Sequence, residues 1–488
     1  MRLRLPPPHW SKGRRRIVMA GLIAALAIAA FYTEENIRGS WTLDHSNDLA
    51  RKEHVPFHPS AVHHPAPPQD QNLFYAPAFR NRILWESEDG FEVTGNDLGK
   101  SSGLPLLIPW GDIHPQSTSI GKSLQRQPAT TDPAKGRSLN LQATRDAMKK
   151  LGWTLTETAS PANDVRTGLD RYQSELAEWG TEIRQRSGWA PEPASFRSIE
   201  TFERLLIETT RLFTLRAVAG AAAGRPGSEI FTDLESAHLL SQHTWAARRF
   251  VNAAIWEVLR ARSLKDGELL ALGNMLPDKP PTNILLQRTW MESIAWITEI
   301  LTPLGESNGE YSAARYWELY TIPELFPDDL PALRHLKPAG WYRLEEAWMI
   351  QVMIENQRWL RQIDAAWDSP SPPPIRQNKI EPPLVAGRHV YYLDDLGYHL
   401  QSCGCPVSTI VSQTVDARIA MIAIGLERHR LRHGTWPETL TTVAGLIPRN
   451  LRVNPKTGKP FTYQLLPGAG WELSDDDRGT VWRMNEPP

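Results

Sequence analysis

The stretch "SIETFERLLIETTRLFTLRAVAG", from Ser198 to Gly220, carries the pattern that decides the fold class. Residues at three- and four-residue spacing along it form one face of a helix, and most of them are apolar. Ser198 is a residue type favoured at a helix N-cap and a glycine closes the pattern, so we expect a helix between these two positions. The predicted buried face comprises Leu205, Thr209, Leu212, Phe213 and Arg216.

Helical periodicity continues on both sides of this stretch. It recurs upstream in Asp164–Gly188 and, at heptad-like spacing, downstream in Pro338–Asp368. Further helices are expected at Asp233–Arg262, Leu264–Leu276 and Asn283–Leu301. The two flanking patterns consist of Leu169, Tyr172, Leu176 and Trp179, and of Trp348, Val352, Trp359, Ile363 and Trp367. This order predicts a mainly α fold, a helical-hairpin stack of the tetratricopeptide kind, although the sequence has no strict repeat.

A different pattern begins after the proline-rich break at Ser369–Pro374. A helix is expected at about Thr409–His433, and its last turns are basic, which offsets the partial negative charge of a helix carbonyl end. Gly434 follows where a left-handed cap is required. We therefore interpret the basic residues as a helix end rather than a nucleic-acid patch. They are Arg428, Arg430, Arg432 and His433.

The last residues predict a small α+β module. Pro437 bars continuation of the helix, and "ETLTTVAGLIP" (Glu438–Pro448) favours a short second helix. "PFTYQLL" and "GWELS" alternate as strands do and flank a glycine turn, so Pro460–Ser474 is predicted to be a β-hairpin. We expect Trp436 and Pro437 to pack this hairpin against the preceding helix.

The N-terminus predicts the location of the protein. Basic residues precede an uninterrupted apolar run, Ile17–Tyr32, and positive charge on that side keeps the N-terminus in the cytoplasm. We favour an uncleaved transmembrane anchor, because Phe31, Tyr32 and the long basic leader suit a helix that stays in the membrane. A cleaved signal peptide is the other interpretation, since "AIA" at Ala27–Ala29 resembles a cleavage site. Either way we expect the bulk of the chain to be extracytoplasmic or periplasmic. With the anchor retained, the protein crosses the inner (cytoplasmic) membrane once.

These patterns divide the chain into seven segments. In order, we expect a cytoplasmic basic leader (1–16), the transmembrane anchor or signal peptide (17–32), a Pro-rich tether (33–72), an irregular region (73–138), a helical domain (139–368), a linker (369–408) and the terminal helix-plus-hairpin module (409–488). Short strands are predicted within the irregular region, around Arg82–Glu86 and Leu104–Pro109.

Composition excludes some classes of protein. The chain has 54 basic and 55 acidic residues, so it lacks the basic excess of a dedicated nucleic-acid binder. Its 41% of hydrophobic residues is enough for a substantial core. With only two cysteines, no disulfide framework holds the fold together.

Motifs scattered along the chain resemble those of known proteins. "HGTWPETL" (His433–Leu440) and "NPKTGKPFTY" (Asn454–Tyr463) are similar to the C-terminal module of type II secretion pseudopilins, with Trp436 where tyrosine is usual. A broader set of uncharacterised, membrane-anchored bacterial envelope proteins is similar over more of the chain. That likeness lies in "FYTEENIRG" (Phe31–Gly39), "PPQDQN" (Pro67–Asn72), "PAGW" (Pro338–Trp341) and the closing helix from Asp416.

Few residue groups suggest chemistry. Cys403 and Cys405 are candidates for a small disulfide or, with His399, for metal ligands, against the simpler interpretation as reduced thiols. Major pseudopilins hold calcium in the loop that corresponds to the acidic turn, so the resemblance makes Asp475, Asp476 and Asp477 weak calcium candidates. The tether histidines are read as solvated. They are His54, His58, His63 and His64.

Tryptophan is abundant, with 19 residues, and most of them fall on helical stripes. Trp341, Trp436 and Trp471 lie near turns and are the better candidates for surface platforms that stack on sugars.

No sequence signature of catalysis is present, so we name no catalytic residue and no cofactor. The favoured expectation is a membrane-anchored, non-enzymatic extracytoplasmic scaffold that binds a protein partner in the envelope and no nucleic acid. An extracytoplasmic hydrolase or carbohydrate-active enzyme is one alternative, and a component of a secretion or pilus-like assembly is another.

Overall fold

In the computed structural model of the protein, the chain divides into two compact units. The first contains Met1–Val62, Trp290–Glu355 and Lys379–Cys403, and the second contains His63–Thr289, Asn356–Asn378 and Gly404–Pro488. The structure describes residues 12–55, 67–80, 83–87, 90–93, 141–150, 153–186, 188–189, 196–276, 339–368, 394–447, 449–455, 457–466, 470–475 and 480–485.

The described part is mainly helical, as the sequence predicts. Its helices are α1 (Lys12–Lys52), α2 (Pro77–Arg80), α3 (Leu141–Lys150), α4 (Pro161–Asp170), α5 (Gln173–Gln185), α6 (Phe196–Ala222), α7 (Gly227–His243), α8 (Trp245–Ala261), α9 (Asp266–Met275), α10 (Ala339–Asp368) and α11 (Asp394–His433). Strands β1 (Ile83–Ser87) and β2 (Gly90–Val93) form an antiparallel pair. A second, three-stranded antiparallel sheet consists of β3 (Thr462–Leu466), β4 (Gly470–Asp475) and β5 (Thr480–Asn485).

Helix α1, in the first unit, is long and apolar enough to cross a membrane. It has 41 residues, and its most apolar 18-residue window has a mean hydropathy of 1.9 and is 0% buried. The helix continues unbroken to Lys52, so the first part of the predicted tether, before its Pro-rich stretch, is helical. Its second half has a buried stripe of mostly small residues, comprising Glu35, Gly39, Thr42, Ser46 and Ala50.

The second half of α1 contacts α10 within the first unit. The Ser40 hydroxyl accepts a hydrogen bond from Arg343, and the Ser46 hydroxyl accepts one from Gln351 Nε2 at 2.9 Å. Small side chains on such a stripe let two helices approach closely. The part of α1 beyond the apolar run therefore belongs to a folded unit.

Helix α6 lies at the centre of the second unit and confirms the predicted buried face. Leu205, Thr209, Leu212, Phe213 and Arg216 are all buried. The helix begins at Phe196, so the prediction of Ser198 as its N-cap is wrong, and it continues past Gly220 to Ala222. Gly224, with φ of +70°, then turns the chain into α7.

The helices predicted before and after α6 agree only in part with their sequence patterns. The predicted helix over Asp164–Gly188 is two helices, because the chain turns at Arg171 and Tyr172 between α4 and α5. Its residues Leu169, Leu176 and Trp179 are buried as expected. Along α10 the buried residues include Trp348, Val352, Trp359 and Ile363. The side chain of Trp367 and the predicted helix Asn283–Leu301 lie outside the described residues.

The start of the predicted irregular region belongs to the helical core. Leu73, Phe74 and Phe79 are each 0% exposed, and the Phe79 ring stacks on Trp179 with centroids 5.5 Å apart. This part of the chain forms two short 3-10 turns, Gln69–Gln71 and Leu73–Tyr75. Single turns of this length leave no sustained hydrophobic period in the sequence. Strand β1 confirms the strand predicted around Arg82–Glu86, whereas Leu104–Pro109 lies outside the described residues.

The C-terminal module contains the expected hairpin and a further strand. Strands β3 and β4 form the hairpin, in which Leu465 faces Trp471, and β5 pairs on the other side of β4, with Trp471 facing Met484. Helix α11 begins at Asp394 instead of Thr409, so the predicted linker 369–408 ends earlier than expected. Glu438–Ile447 forms successive turns, and the short helix predicted there is wrong. Each backbone hydrogen bond in this segment closes a single turn, and short polar residues dominate the first half of the segment.

Candidate functional site

The predicted site residues lie mostly outside what the structure describes. Cys403 and Cys405 are in α11, but their side chains are not among the described ones, so the disulfide stays a prediction. Asp475 ends β4, with its side chain outside the described set, and Asp476 and Asp477 are outside it altogether. Within the described residues, no three His, Cys, Asp or Glu side chains are grouped so as to hold a metal ion.

The three tryptophans proposed as surface platforms differ in what the structure describes of them. Trp471 is 0% exposed and belongs to the core, so the expectation of a surface platform is wrong for it. Trp436 is half-buried and packs edge-on against Trp471, with ring centroids 6.3 Å apart. The side chain of Trp341 is outside the described residues. Trp436 also packs against the hydrophobic core of the second unit, as expected of a packing residue.

A buried cluster of charges joins three helices of the second unit, and we call it the Arg166 network. It consists of Arg166 and Asp170 on α4, Arg216 on α6, Arg225 in the turn that follows, and Glu229 and Asp233 on α7. Arg166, with its side chain 1% exposed, binds Asp170 and Glu229 at 2.9 Å each. It also binds Asp233 at 3.1 Å, and Arg216 binds the other oxygen of Asp233 at 3.0 Å.

Backbone geometry makes room for this network. The Nη1 of Arg166 donates to the backbone carbonyl of Arg216 at 3.2 Å, which brings the guanidinium against α6. A Cβ atom added at Gly220, one turn further along, would lie 2.7 Å from that nitrogen. Burial raises the pKa of Asp233 to about 6, although Arg216 and Arg166 pull it in the opposite direction. Three guanidinium groups and three carboxylates therefore balance one another between α4, α6 and α7.

Two further side chains, His238 on α7 and Arg248 on α8, are buried and interact electrostatically, and we call them the Arg248 pair. The His238 Nε2 lies 3.1 Å from Nε2 of the Gln242 amide. An amide nitrogen only donates, so with this assignment the imidazole accepts at Nε2 and carries its proton on Nδ1. Burial, and secondarily the charge of Arg248, lower the pKa of His238 to about 3. The imidazole is therefore neutral at physiological pH.

Arg248 is the unbalanced member of this pair. It is 8% exposed, and burial lowers its pKa to about 10, which still leaves the guanidinium charged at neutral pH. Among the described residues no carboxylate forms an ion pair with it. Arg166, by contrast, has three acidic partners.

The basic end of α11 is used within the second unit. Gly434 has φ of +77° and its N–H donates to the Arg430 carbonyl at 2.8 Å, which confirms the predicted left-handed cap. Arg428 and Arg432 also bind Asp266 at the start of α9, at 2.9 and 2.8 Å. The hydrogen bond from Arg432, and then that from Arg428, lower the pKa of Asp266. The basic residues therefore form ion pairs in addition to ending the helix, and the sequence pattern did not predict these ion pairs.

The sequence signals of these clusters were too general to be recognised. Arg166 and Asp170 are four residues apart, as are Glu229 and Asp233, a spacing that exposed helix faces also have. Nothing in that spacing indicates that the two faces meet. No family model, curated protein or solved structure matches the chain.

Proposed function

We propose that the protein is a membrane-anchored extracytoplasmic scaffold whose helical body binds a protein partner in the envelope. The observation that carries the proposal is the composition of α1, which is apolar and uncovered in its first half and polar and packed in its second. One helix therefore joins a membrane-spanning segment to a folded unit without a flexible joint. This supports a retained anchor over a cleaved signal peptide.

Orientation follows from the basic leader. Positive charge at the N-terminal end of α1 favours a cytoplasmic N-terminus and an extracytoplasmic body in the inner membrane. A C-terminal fusion to alkaline phosphatase, which is active only outside the cytoplasm, should give activity. A C-terminal green fluorescent protein that fluoresced in the cytoplasm would contradict this topology. Replacing the leader cations by glutamine supplies the matched control, which should reduce the phosphatase signal; these residues are Arg2, Arg4, Lys12, Arg14, Arg15 and Arg16.

Retention of the anchor is tested on the mature protein. N-terminal sequencing should find α1 intact, and the protein should stay with membranes after alkaline carbonate extraction. A mature chain that begins at Ala30 would keep the location and remove the anchor.

A tetratricopeptide-like stack is the architecture we propose for the helical body. Helices α6, α7 and α8 follow one another through short turns and bury their shared faces. Stacked hairpins of this kind present extended surfaces to protein partners. The Arg166 network disfavours the hydrolase alternative, because its converging carboxylates are bound by arginines rather than open to a substrate.

A component of a secretion or pilus-like assembly is the second candidate, and the terminal module favours it. The order of α11, the Gly434 cap, Pro437 and the small antiparallel sheet is that of the resemblance to pseudopilins. A photo-crosslinking residue at Leu465, exposed on β3, should then capture a pilin-like subunit in cells. The same residue at Leu473, which is 0% exposed, is the control. Equal capture from both positions, or none from Leu465, would contradict this role.

A further inference from the structure

Two histidines lie side by side in the last turns of α11. His429 and His433 are one helical turn apart, and their ring centroids are 4.4 Å apart with the ring planes inclined by 36°. His429 is half-buried and His433 is exposed. Two imidazoles at this spacing on one face of a helix can bind the same divalent transition-metal ion. The pair therefore has the spacing of a metal-chelating site.

The cap that ends α11 fixes the tautomer of His429. Gly434, with φ of +77°, reverses the chain, and the Thr435 carbonyl oxygen lies 3.1 Å from His429 Nδ1. A carbonyl only accepts hydrogen bonds, so in the neutral imidazole Nδ1 carries the proton and Nε2 keeps its lone pair. Metal-binding histidines commonly donate their second ring N–H to a backbone carbonyl in this way, which orients the ring. The cap thus holds His429 in the tautomer that a metal bound at Nε2 requires.

We propose that His429 and His433 bind one Zn²⁺ ion through their Nε2 atoms, with water completing its coordination. Imidazole nitrogen is a preferred ligand of this ion. Zn–N bonds of about 2.0 Å at a tetrahedral angle place the two ring centroids about 5 Å apart. The present separation of 4.4 Å therefore needs only a small rotation of the exposed His433 ring. In the described part of the chain no third His, Cys, Asp or Glu side chain joins the pair.

The chemistry of this pair is that of a binding site and not of a hydrolytic centre. In the helical zinc-protease motif His-Glu-x-x-His, the glutamate after the first histidine acts as the general base. Arg430 stands at that position here. The two imidazoles share one face only while the end of α11 is helical, so the site exists in the folded chain and not in the unfolded one.

The neighbouring arginines are largely neutralised by carboxylates. Arg428 and Arg432 both bind Asp266, at 2.9 and 2.8 Å, and Nε of Arg430 donates to Glu427 at 3.1 Å. Three guanidinium groups and two carboxylates leave one positive charge in excess beside the proposed ion. This charge opposes binding, but it acts near the surface, where salt screens it. The proposal does not depend on the scaffold role or on the membrane anchor, because all these residues belong to the second unit.

The experiment measures zinc binding to the full chain in detergent, by equilibrium dialysis against zinc chloride at pH 7.5. His429→Gln and His433→Gln should each weaken the site by about tenfold or more, since loss of even an outer-shell partner typically costs that much. His433 is exposed, so its substitution should leave the fold intact, and circular dichroism without zinc checks this. His45→Gln removes an exposed histidine of α1 that has no other histidine one turn away, and it should keep the wild-type affinity.

A second variant controls for the 14 histidines of the chain. Leu431→His combined with His433→Gln keeps their number but moves the second imidazole to another side of the helix, two residues from His429. This moved-histidine variant should bind zinc as weakly as His433→Gln. In concentrated urea, which unfolds α11, its difference from the wild type should disappear. Zinc binding that His433→Gln leaves unchanged, a moved-histidine variant that binds like the wild type, or a difference that persists in urea would overturn the proposal.

Discussion

The Arg166 network and the Arg248 pair lie in the same helical body and treat buried arginine in opposite ways. Arg166 has Asp170, Glu229 and Asp233 as ion-pair partners, whereas no carboxylate in the described part of the chain forms an ion pair with Arg248. Removing one partner from a balanced group strands the remaining charges, but removing an unbalanced charge strands nothing. The comparison separates charges that join helices through ion pairs from a buried charge that forms no ion pair among the described residues.

The largest expected effect comes from breaking the balanced group. Arg166→Met should destabilise the protein by about 3–5 kcal/mol, the range for removing one partner of a buried ion pair. It leaves Asp233 facing Arg216 alone and frees a buried carbonyl on α6. Denaturant unfolding followed by circular dichroism measures the loss.

The control for that substitution is an exposed ion pair. Arg51→Met removes the pair with Asp48, whose side chains are 63% and 62% exposed, and should change stability little. Equal losses from both substitutions would mean that the Arg166 network contributes no more than a surface pair.

A second prediction concerns the packing of aromatic rings in the C-terminal module. Trp436→Ala should cost about 3 kcal/mol, because the ring packs against Trp471 and large-to-small changes in a core leave a cavity. Arg262 and Arg430 also lie over the ring, 5.8 and 5.5 Å from its centroid, and lose cation–π contacts. Urea titration of the full chain measures the change.

Trp41→Ala is the matched substitution, since that ring is 61% exposed, and it should leave the unfolding midpoint nearly unchanged. An unchanged midpoint for Trp436→Ala would instead remove this ring from the core. It would also revive its interpretation as a sugar-stacking platform.

The helical body and the C-terminal module also show how much of the structure the sequence could predict. The face of α6 was predictable because burial repeats every three to four residues, and its residues Leu205, Leu212 and Phe213 are all buried. The cap at Gly434 was predictable because one residue type meets one backbone requirement. The Arg166 network was not, because its members come from three helices whose facing sides depend on how the helices pack. The short turns around Phe74 escaped recognition because single turns have no period.

A third prediction tests the space that the network occupies. Gly220→Ala should destabilise the protein by about 1–3 kcal/mol, the cost of inserting a methyl group into a filled site. The added carbon would lie 2.7 Å from Arg166 Nη1, and that guanidinium is held by three carboxylates. Thermal unfolding of the variant beside the wild type measures the loss.

Gly273→Ala in α9 is the control, because the nearest atom to its added carbon, on Ile424, is 3.7 Å away. Alanine is favoured over glycine inside a helix, so this variant should be neutral or more stable. A neutral Gly220→Ala would show that Arg166 can move, which would weaken the assignment of a fixed network.

The smallest expected effect is the pH dependence of the stability that Asp266 contributes. Its ion pairs are half-exposed counterparts of the buried ones. Its hydrogen bonds with Arg432 and Arg428 lower its pKa below the ordinary 3.8, so the folded state binds this proton less readily than the unfolded state. The stabilisation is therefore fully present above the unfolded pKa and is lost as the pH falls through the folded one. Because the side chain is 34% exposed, solvent screens the pair, and we expect about 1 kcal/mol or less.

Asp266→Asn should be slightly less stable than the wild type at pH 7, and the two should converge as the pH falls below 3.8. Urea unfolding at pH 7, 5 and 3 measures the difference, and 1 M salt should reduce it at pH 7. A difference that persisted unchanged to pH 3 would attribute the effect to the amide itself. The ion pair between α11 and α9 would then contribute nothing, and the basic helix end would return to capping alone.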